Sequence, residues 1–154
     1  MAELRRIRAM CDTMIFDKIV ADADVLARLN DQGCPVTVIS THVQDDELAA
    51  IGDESKRAAV ARVPRENVPT ADFVAGFSRL GMARLGEGEV YEQVRGEVKS
   101  PKHSRDGIIA GTAKTDADVL VTDDHRLARR CEEIGFPVWG WVELRGAILR
   151  PRKP

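Results

Sequence analysis

The stretch Ser104–Asp124, SRDGIIAGTAKTDADVLVTDD, decides the fold. It holds three consecutive apolar residues, Val119, Leu120 and Val121, bounded by Asp118 and Thr122. That run is too short for a helix of its own, and its unbroken apolar character suits a strand covered on both faces, as in a parallel sheet. Ser104 reads as the opening of the preceding helix, with Asp106 in the first turn, where the helix dipole favours a carboxylate. Ala110, Gly111 and Ala113 are small enough to let that helix lie close to a sheet. Asp123 and Asp124 follow the strand directly. Ligands of open α/β sheets gather beyond the carboxyl ends of the strands, so both aspartates become candidates for a site, with Asp106 facing the same crevice.

Upstream, Ile7–Cys11 reads as a first strand ended by Asp12, and Asp17–Asn30 carries Ile19, Val20, Ala23, Leu26 and Leu29 at helical spacing before Gly33. Val36–Ile39 is a second strand. Thr41 and Gln44 then fit a capping box for a helix that begins with Asp45, Asp46 and Glu47 and breaks at Gly52 and Asp53. Downstream, Leu127, Cys131 and Ile134 face the core from a helix that Gly135 ends, and Phe136–Trp141 reads as a last strand with Trp139 and Trp141 on opposite faces. Pro64 and Pro69 end one helix and introduce another from about Thr70, so that residues from about 64 to 102 form a helical arm over the sheet edge or a partner surface. Its apolar face, Phe73, Phe77 and Leu80, leaves a homodimer open. The alternation of strand and helix predicts one α/β domain over residues 1–148, helices covering both faces of the sheet, with a mobile tail over 149–154.

Bulk properties narrow the classes. At 154 residues, 44% hydrophobic and 31% charged, the chain suits one soluble globular domain. No apolar run reaches membrane-spanning length and MAELRRIRAM lacks the apolar centre of a secretory signal, which predicts a cytoplasmic protein without membrane contact. Cys11, Cys34 and Cys131 form no CxxC pair and imply neither a disulfide framework nor a zinc ribbon. A net charge of −2 excludes a protein that coats nucleic acid by bulk electrostatics. It does not exclude a nuclease, whose clustered acids subtract from net charge.

Acids recur beyond strand ends or at helix openings: Asp12, the Asp45-Asp46-Glu47 group, Asp106, and Asp123-Asp124. A parallel sheet brings those ends to one edge. Carboxylates crowded there repel unless a cation intervenes, and oxygen-only ligands suit Mg²⁺ or Mn²⁺. Such cations generate hydroxide from water and stabilise a leaving oxygen, the chemistry of phosphodiester hydrolysis. His42, His103 and His125 lack a compact zinc-ligand spacing. Lys102, His103, Arg105 and Arg126, with Arg129 and Arg130, stand near the acids and would meet phosphates at the rim.

At this point the chain resembles the PIN-domain nucleases. The resemblance rests on Asp12-Thr13, on THVQDDEL over Thr41–Leu48, on SRDGIIAGTA over Ser104–Ala113, and on VLVTDD over Val119–Asp124. It implies a PIN-like three-layer sandwich around a mainly parallel sheet. It further implies that Asp12, Glu47, Asp106 and Asp124 are the catalytic acids holding Mg²⁺ or Mn²⁺, supported by the hydroxyls of Thr13 and Thr122. Asp46 is the nearest competitor to Glu47, and Asp123 could share or replace the role of Asp124. The implied activity is cleavage of single-stranded or loop RNA; many relatives are toxins held by an antitoxin protein, and others process cellular RNA. Met14 departs from the asparagine frequent after the Asp-Thr pair. A DNA nuclease of related fold shares the metal site, and a PIN-like partner-binding module without catalysis is a third reading. Phosphoacceptor and haloacid-dehalogenase-type chemistry fit less well, because Asp12 is followed by Thr13 and Met14 rather than by a second acid.

Overall fold

The computed structural model describes residues 5–70 and 101–151, without the side chains of residues 101–104. Strand β1 (Ile7–Cys11) explains why the sheet is covered twice: Ala9 and Cys11 enter one apolar cluster and Met10 enters the other, as the two-residue period of a strand requires. β2 (Val36–Ser40) divides likewise, with Val36 and Val38 in the first cluster and Ile39 in the second. In β4 (Val119–Val121), the outer two valines join the first cluster and Leu120 the second. Together with β3 (Glu66–Asn67) and β5 (Val138–Trp139) these strands form a sheet of order β3-β2-β1-β4-β5 in which every pairing is parallel.

Helices close both faces. On the first lie α1 (Thr13–Ala21), α2 (Ala23–Leu29), α3 (His42–Ala49) and α4 (Glu54–Ala61), together with the C-terminal helix Trp141–Leu149. They deliver Ile15, Phe16, Ile19, Val25, Leu48, Val60, Leu144 and Ile148 to the first cluster. On the second lie α5 (Pro101–Asp116) and α6 (His125–Glu133), with Ile109, Ala110, Ala113, Leu127 and Cys131. The C-terminal helix is α7. The α/β class and its three layers therefore stand as the sequence predicts. β1 leads to a helix on one face and β4 to a helix on the other, so the crevice of this sheet opens between their carboxyl ends.

Several boundaries differ from sequence expectation, each for a local reason. The helix predicted over Asp17–Asn30 starts at Thr13, because the Asp12 carboxylate caps it through the Thr13 amide at 2.7 Å. It also breaks at Asp22, whose side chain accepts from the Val25 amide at 3.1 Å and opens α2. Where Pro64 and Pro69 predict helix boundaries, the chain forms edge strand β3, pairing Glu66 with Ile39 and Asn67 with Ser40. The rest of the predicted arm, with Phe73, Phe77 and Leu80, lies outside the described residues. α5 begins at Pro101, a favoured first helical residue, rather than at Ser104. Asp106 therefore occupies the second turn, and a first-turn dipole argument does not apply to it. The last strand is only Val138–Trp139; Trp141 opens α7, an element that the sequence patterning does not predict. Trp139 and Trp141 consequently pack against the same cluster instead of opposite faces. Gly135 does end α6, with the positive φ of 75° that glycine tolerates. Among the described residues no helix is long and apolar enough to cross a membrane.

Candidate active site

The connection from β1 to α1 is a single residue, Asp12. Its amide continues the sheet by donating to the Val121 carbonyl at 2.9 Å, and its carboxylate splits between two donors. Oδ1 takes the Thr13 amide, and Oδ2 takes the Thr122 hydroxyl at 2.8 Å. Thr122, which follows β4 and is 3% exposed, in turn accepts the Asp124 amide at 3.0 Å. One buried hydroxyl thus ties the acid after β1 to the acid after β4. Asp124 caps α6, its Oδ1 accepting from the amides of Arg126 at 2.9 Å and Leu127 at 3.2 Å.

Glu47 arrives from α3. The buried Gln44 side chain accepts the Thr41 amide at 2.8 Å, one half of the expected capping box, and donates to the Cys11 carbonyl at the end of β1. That bond pins α3 to the strand bearing Asp12, and Glu47 lies nearly one helical turn further along. Its Oε2 accepts from Thr13 Oγ1 at 2.8 Å, and Arg105 stands 3.8 Å from its Oε1. Asp106, 5% exposed on α5, receives Arg126 Nη1 on Oδ2 at 3.1 Å.

Asp12, Glu47, Asp106 and Asp124 line one cleft of about 420 Å³ at the carboxyl edge of the sheet, and Thr13 and Arg105 line it with them. Burial raises the pKa of Asp12; the hydrogen bonds from Thr122 and Thr13 oppose that shift, and the charges of Glu47 and Asp124 add to it. Two neighbouring carboxylates thus make the charged form of a third costly, the crowding that a cation relieves. The donors are all oxygen, which fits Mg²⁺ or Mn²⁺ in kind. They do not yet form a cage: among the described residues no three His, Cys, Asp or Glu side chains are gathered tightly enough to hold a metal ion. Arg105 at Glu47 and Arg126 at Asp106 supply positive charge there instead.

The other expected residues divide. Asp123 turns away from the cleft to pair with Lys18 and to accept the Trp141 amide at 3.0 Å. The Lys18 ammonium and that amide hold its pKa below the usual carboxylate range against partial burial. Asp46 is exposed and does not line the cleft. Asp45 is directed inward rather than to solvent, bonded by Arg65 at 3.1 Å and Asn67 at 2.7 Å. Arg129 and Arg130 pair with Glu133 on their own helix. Lys102 and His103 fall on the first turn of α5, where side chains are outside the described residues. Cys11 and Cys131 are fully buried as apolar residues; burial above all, then the Asp106 and Glu132 charges, pushes the Cys131 thiol up to about 12. Sequence reasoning misses Asp17 and Lys56, which also line the cleft. The N-cap pattern of Asp12 is the signal that brings α1, and so Asp17, to this edge.

Compared with protein-family models and with curated proteins, the chain matches none.

Proposed function

We propose that this chain is a Mg²⁺- or Mn²⁺-dependent endoribonuclease of PIN-like architecture that hydrolyses phosphodiester bonds of single-stranded or loop RNA. One observation carries the reading: four acids from four separate segments line a single cleft at the sheet's switch point. Asp12, Glu47, Asp106 and Asp124 would hold the cation, which when bound lowers the pKa of water and offsets charge on the phosphoryl oxygens.

The chain's own groups have definable tasks. Thr122 orients the Asp12 carboxylate through Oδ2, and Thr13 orients Glu47 through Oε2. Arg126 pairs with Asp106, and Arg105 with Glu47. Once relieved of that role, both guanidiniums stand at the rim where a phosphate arrives, as bidentate donors suited to it. Lys102 and His103 precede Arg105 in the sequence and are proposed, from residue type alone, as further phosphate contacts. RNA is the proposed partner. An antitoxin partner follows only from the family resemblance, and a homodimer from the arm outside the described residues.

The test is cleavage of end-labelled single-stranded RNA and matched DNA with Mn²⁺, Mg²⁺ or EDTA, comparing wild type with Asp106→Asn. Metal-dependent RNA cutting that the variant loses supports the reading. Cutting of DNA alone moves it to the DNA nuclease of related fold. No cutting, together with no heat of Mn²⁺ binding by calorimetry, overturns it in favour of a partner-binding module.

A further inference from the structure

The cleft extends past the acids. Beyond Asp12 and Thr13 its wall continues through Met14, Asp17, Leu48, Ile51 and Lys56. Met14 and Asp17 are three residues apart and so share one side of α1, carrying the wall to about 7–8 Å along the helix from Asp12. Met14 is 40% exposed, one of two large apolar side chains left so open among the described residues. Ile51 is half-buried and Leu48 buried beside it, which gives the wall an apolar shelf. Lys56, reaching in from α4, ends the shelf and is held against Asp17 at 3.1 Å, both side chains 47% exposed. Such an exposed pair is weak and readily exchanged.

An apolar shelf beside a phosphodiester-cutting centre and a lysine suits one nucleotide of a strand, whose backbone runs phosphate, sugar, phosphate while the base hanging from that sugar lies on the shelf. We propose that this wall is a nucleotide subsite for single-stranded RNA, an inference that rests on the nuclease reading. Met14 and Ile51 contact the base next to the scissile phosphate, and Lys56 exchanges Asp17 for the following phosphate. Arg105 lines the same cleft from α5 and adds a second cation for the strand's phosphates. The shelf side chains offer no hydrogen-bonding group to a base edge, and the flexible thioether of Met14 adapts to different bases. The subsite therefore positions RNA without reading its sequence. Lys56 and Met14 lie outside the acid cluster, so their removal leaves the carboxylates in place.

The experiment is fluorescence anisotropy of labelled oligouridylate and oligoadenylate at several salt concentrations with Mg²⁺, in an Asp106→Asn background that leaves the RNA intact. Lys56→Gln is expected to weaken binding and to lower the slope of log affinity against log salt by about 0.7, the share of one phosphate contact on a single strand. Met14→Ser is expected to weaken binding several-fold for both oligonucleotides with the slope unchanged. Asp17→Asn, which frees Lys56, is expected to tighten it. A slope unaltered by Lys56→Gln, with the parent still binding, overturns the subsite and leaves the nuclease reading intact. Absence of salt-dependent binding by the parent, joined to absence of cleavage by wild type, overturns both.

Discussion

Replacing Asp12 by Asn asks whether the acids are crowded for want of a cation. Burial first, and the Glu47 and Asp124 charges after it, raise the Asp12 pKa despite the opposing bonds from Thr122 and Thr13. A carboxyl that holds its proton more tightly in the folded state contributes stability below its unfolded value, about 3.9, and loses it as pH rises through the folded value. At pH 7 the ionised group therefore works against the metal-free fold. Asparagine keeps the shape: its Oδ1 can accept the Thr13 amide, and its amide can donate to a Thr122 hydroxyl that has turned. In EDTA the Asp12→Asn protein should melt higher, by about 1 kcal/mol on the usual scale of single substitutions, or about 2–4 °C at this chain length. A cation reverses the order. At one hundred times its Kd it stabilises wild type by about 2.7 kcal/mol, about 5–10 °C, and the variant, short of one anionic ligand, gains less. Thermal melts by circular dichroism at pH 7, in EDTA and across a Mn²⁺ titration, should show the two proteins crossing. A pH series in EDTA should show their difference vanish below about pH 4. Wild type melting above the variant in EDTA refutes the crowding, and equal Mn²⁺ shifts in both refute Asp12 as a ligand.

Arg126→Met removes the guanidinium 3.1 Å from Asp106; calorimetry should find Mn²⁺ bound about tenfold tighter, about 1.4 kcal/mol, and unchanged or weaker binding means that the pair does not compete with the ion. Asp124→Ala should lower stability by about 1 kcal/mol by removing the cap of α6, whereas Asp124→Asn, a good cap itself, should not. Both should lose cleavage, so surviving activity in the Asn variant excludes the carboxylate from the chemistry. Asp123→Ala should leave cleavage unaltered and cost about 0.5–1 kcal/mol at pH 7, since its partly exposed link to Lys18 is screened. The Asp123 pKa is lowered in the fold, so this stability is present above the unfolded value and fades as pH falls through the folded one; denaturant melts of the two proteins should converge in acid.

The central strands were legible because burial on both faces leaves an apolar run that polar residues bound sharply, as in Val119–Val121 between Asp118 and Thr122. The flanks were less so. The last strand was expected over Phe136–Trp141 but keeps only the two residues that pair with Leu120 and Val121, and β3, missed altogether, owes its strand form to Ile39 and Ser40, which no local pattern encodes. α7 was hidden because Gly140 caps it and Gly146 interrupts its pattern, while Trp139 and Trp141 imitate the alternation of a strand. The placing of Asp106 in a first turn failed for a similar reason: Ser104 looks like a cap, but Pro101 already starts the helix. Asp106 nevertheless reaches the cleft, because small residues seat α5 on the sheet: Ala110 and Ala113 are buried against Met10 and Leu120. The Thr122-x-Asp124 spacing favoured Asp124 over its neighbour Asp123 but left Asp123 able to share the role, since the partners that draw it away, Lys18 and Trp141, belong to distant segments.

Acids at these strand ends also have a purely architectural explanation, because a short turn into a helix calls for a cap, and Asp12 and Asp124 both provide one. Capping alone, however, needs only the amides of the helix being capped. Asp12 takes the Thr122 hydroxyl as well, Thr122 takes the Asp124 amide, and Thr13 turns its hydroxyl toward Glu47 on a third element. These bonds run between segments and fix the acids relative to one another. They also do so at a cost, because the charges of Glu47 and Asp124 fall on Asp12 and oppose its ionisation. Helix stability gains nothing from holding like charges at one edge. A ligand that touched all of them would, and the cation proposed above has the charge to meet that requirement.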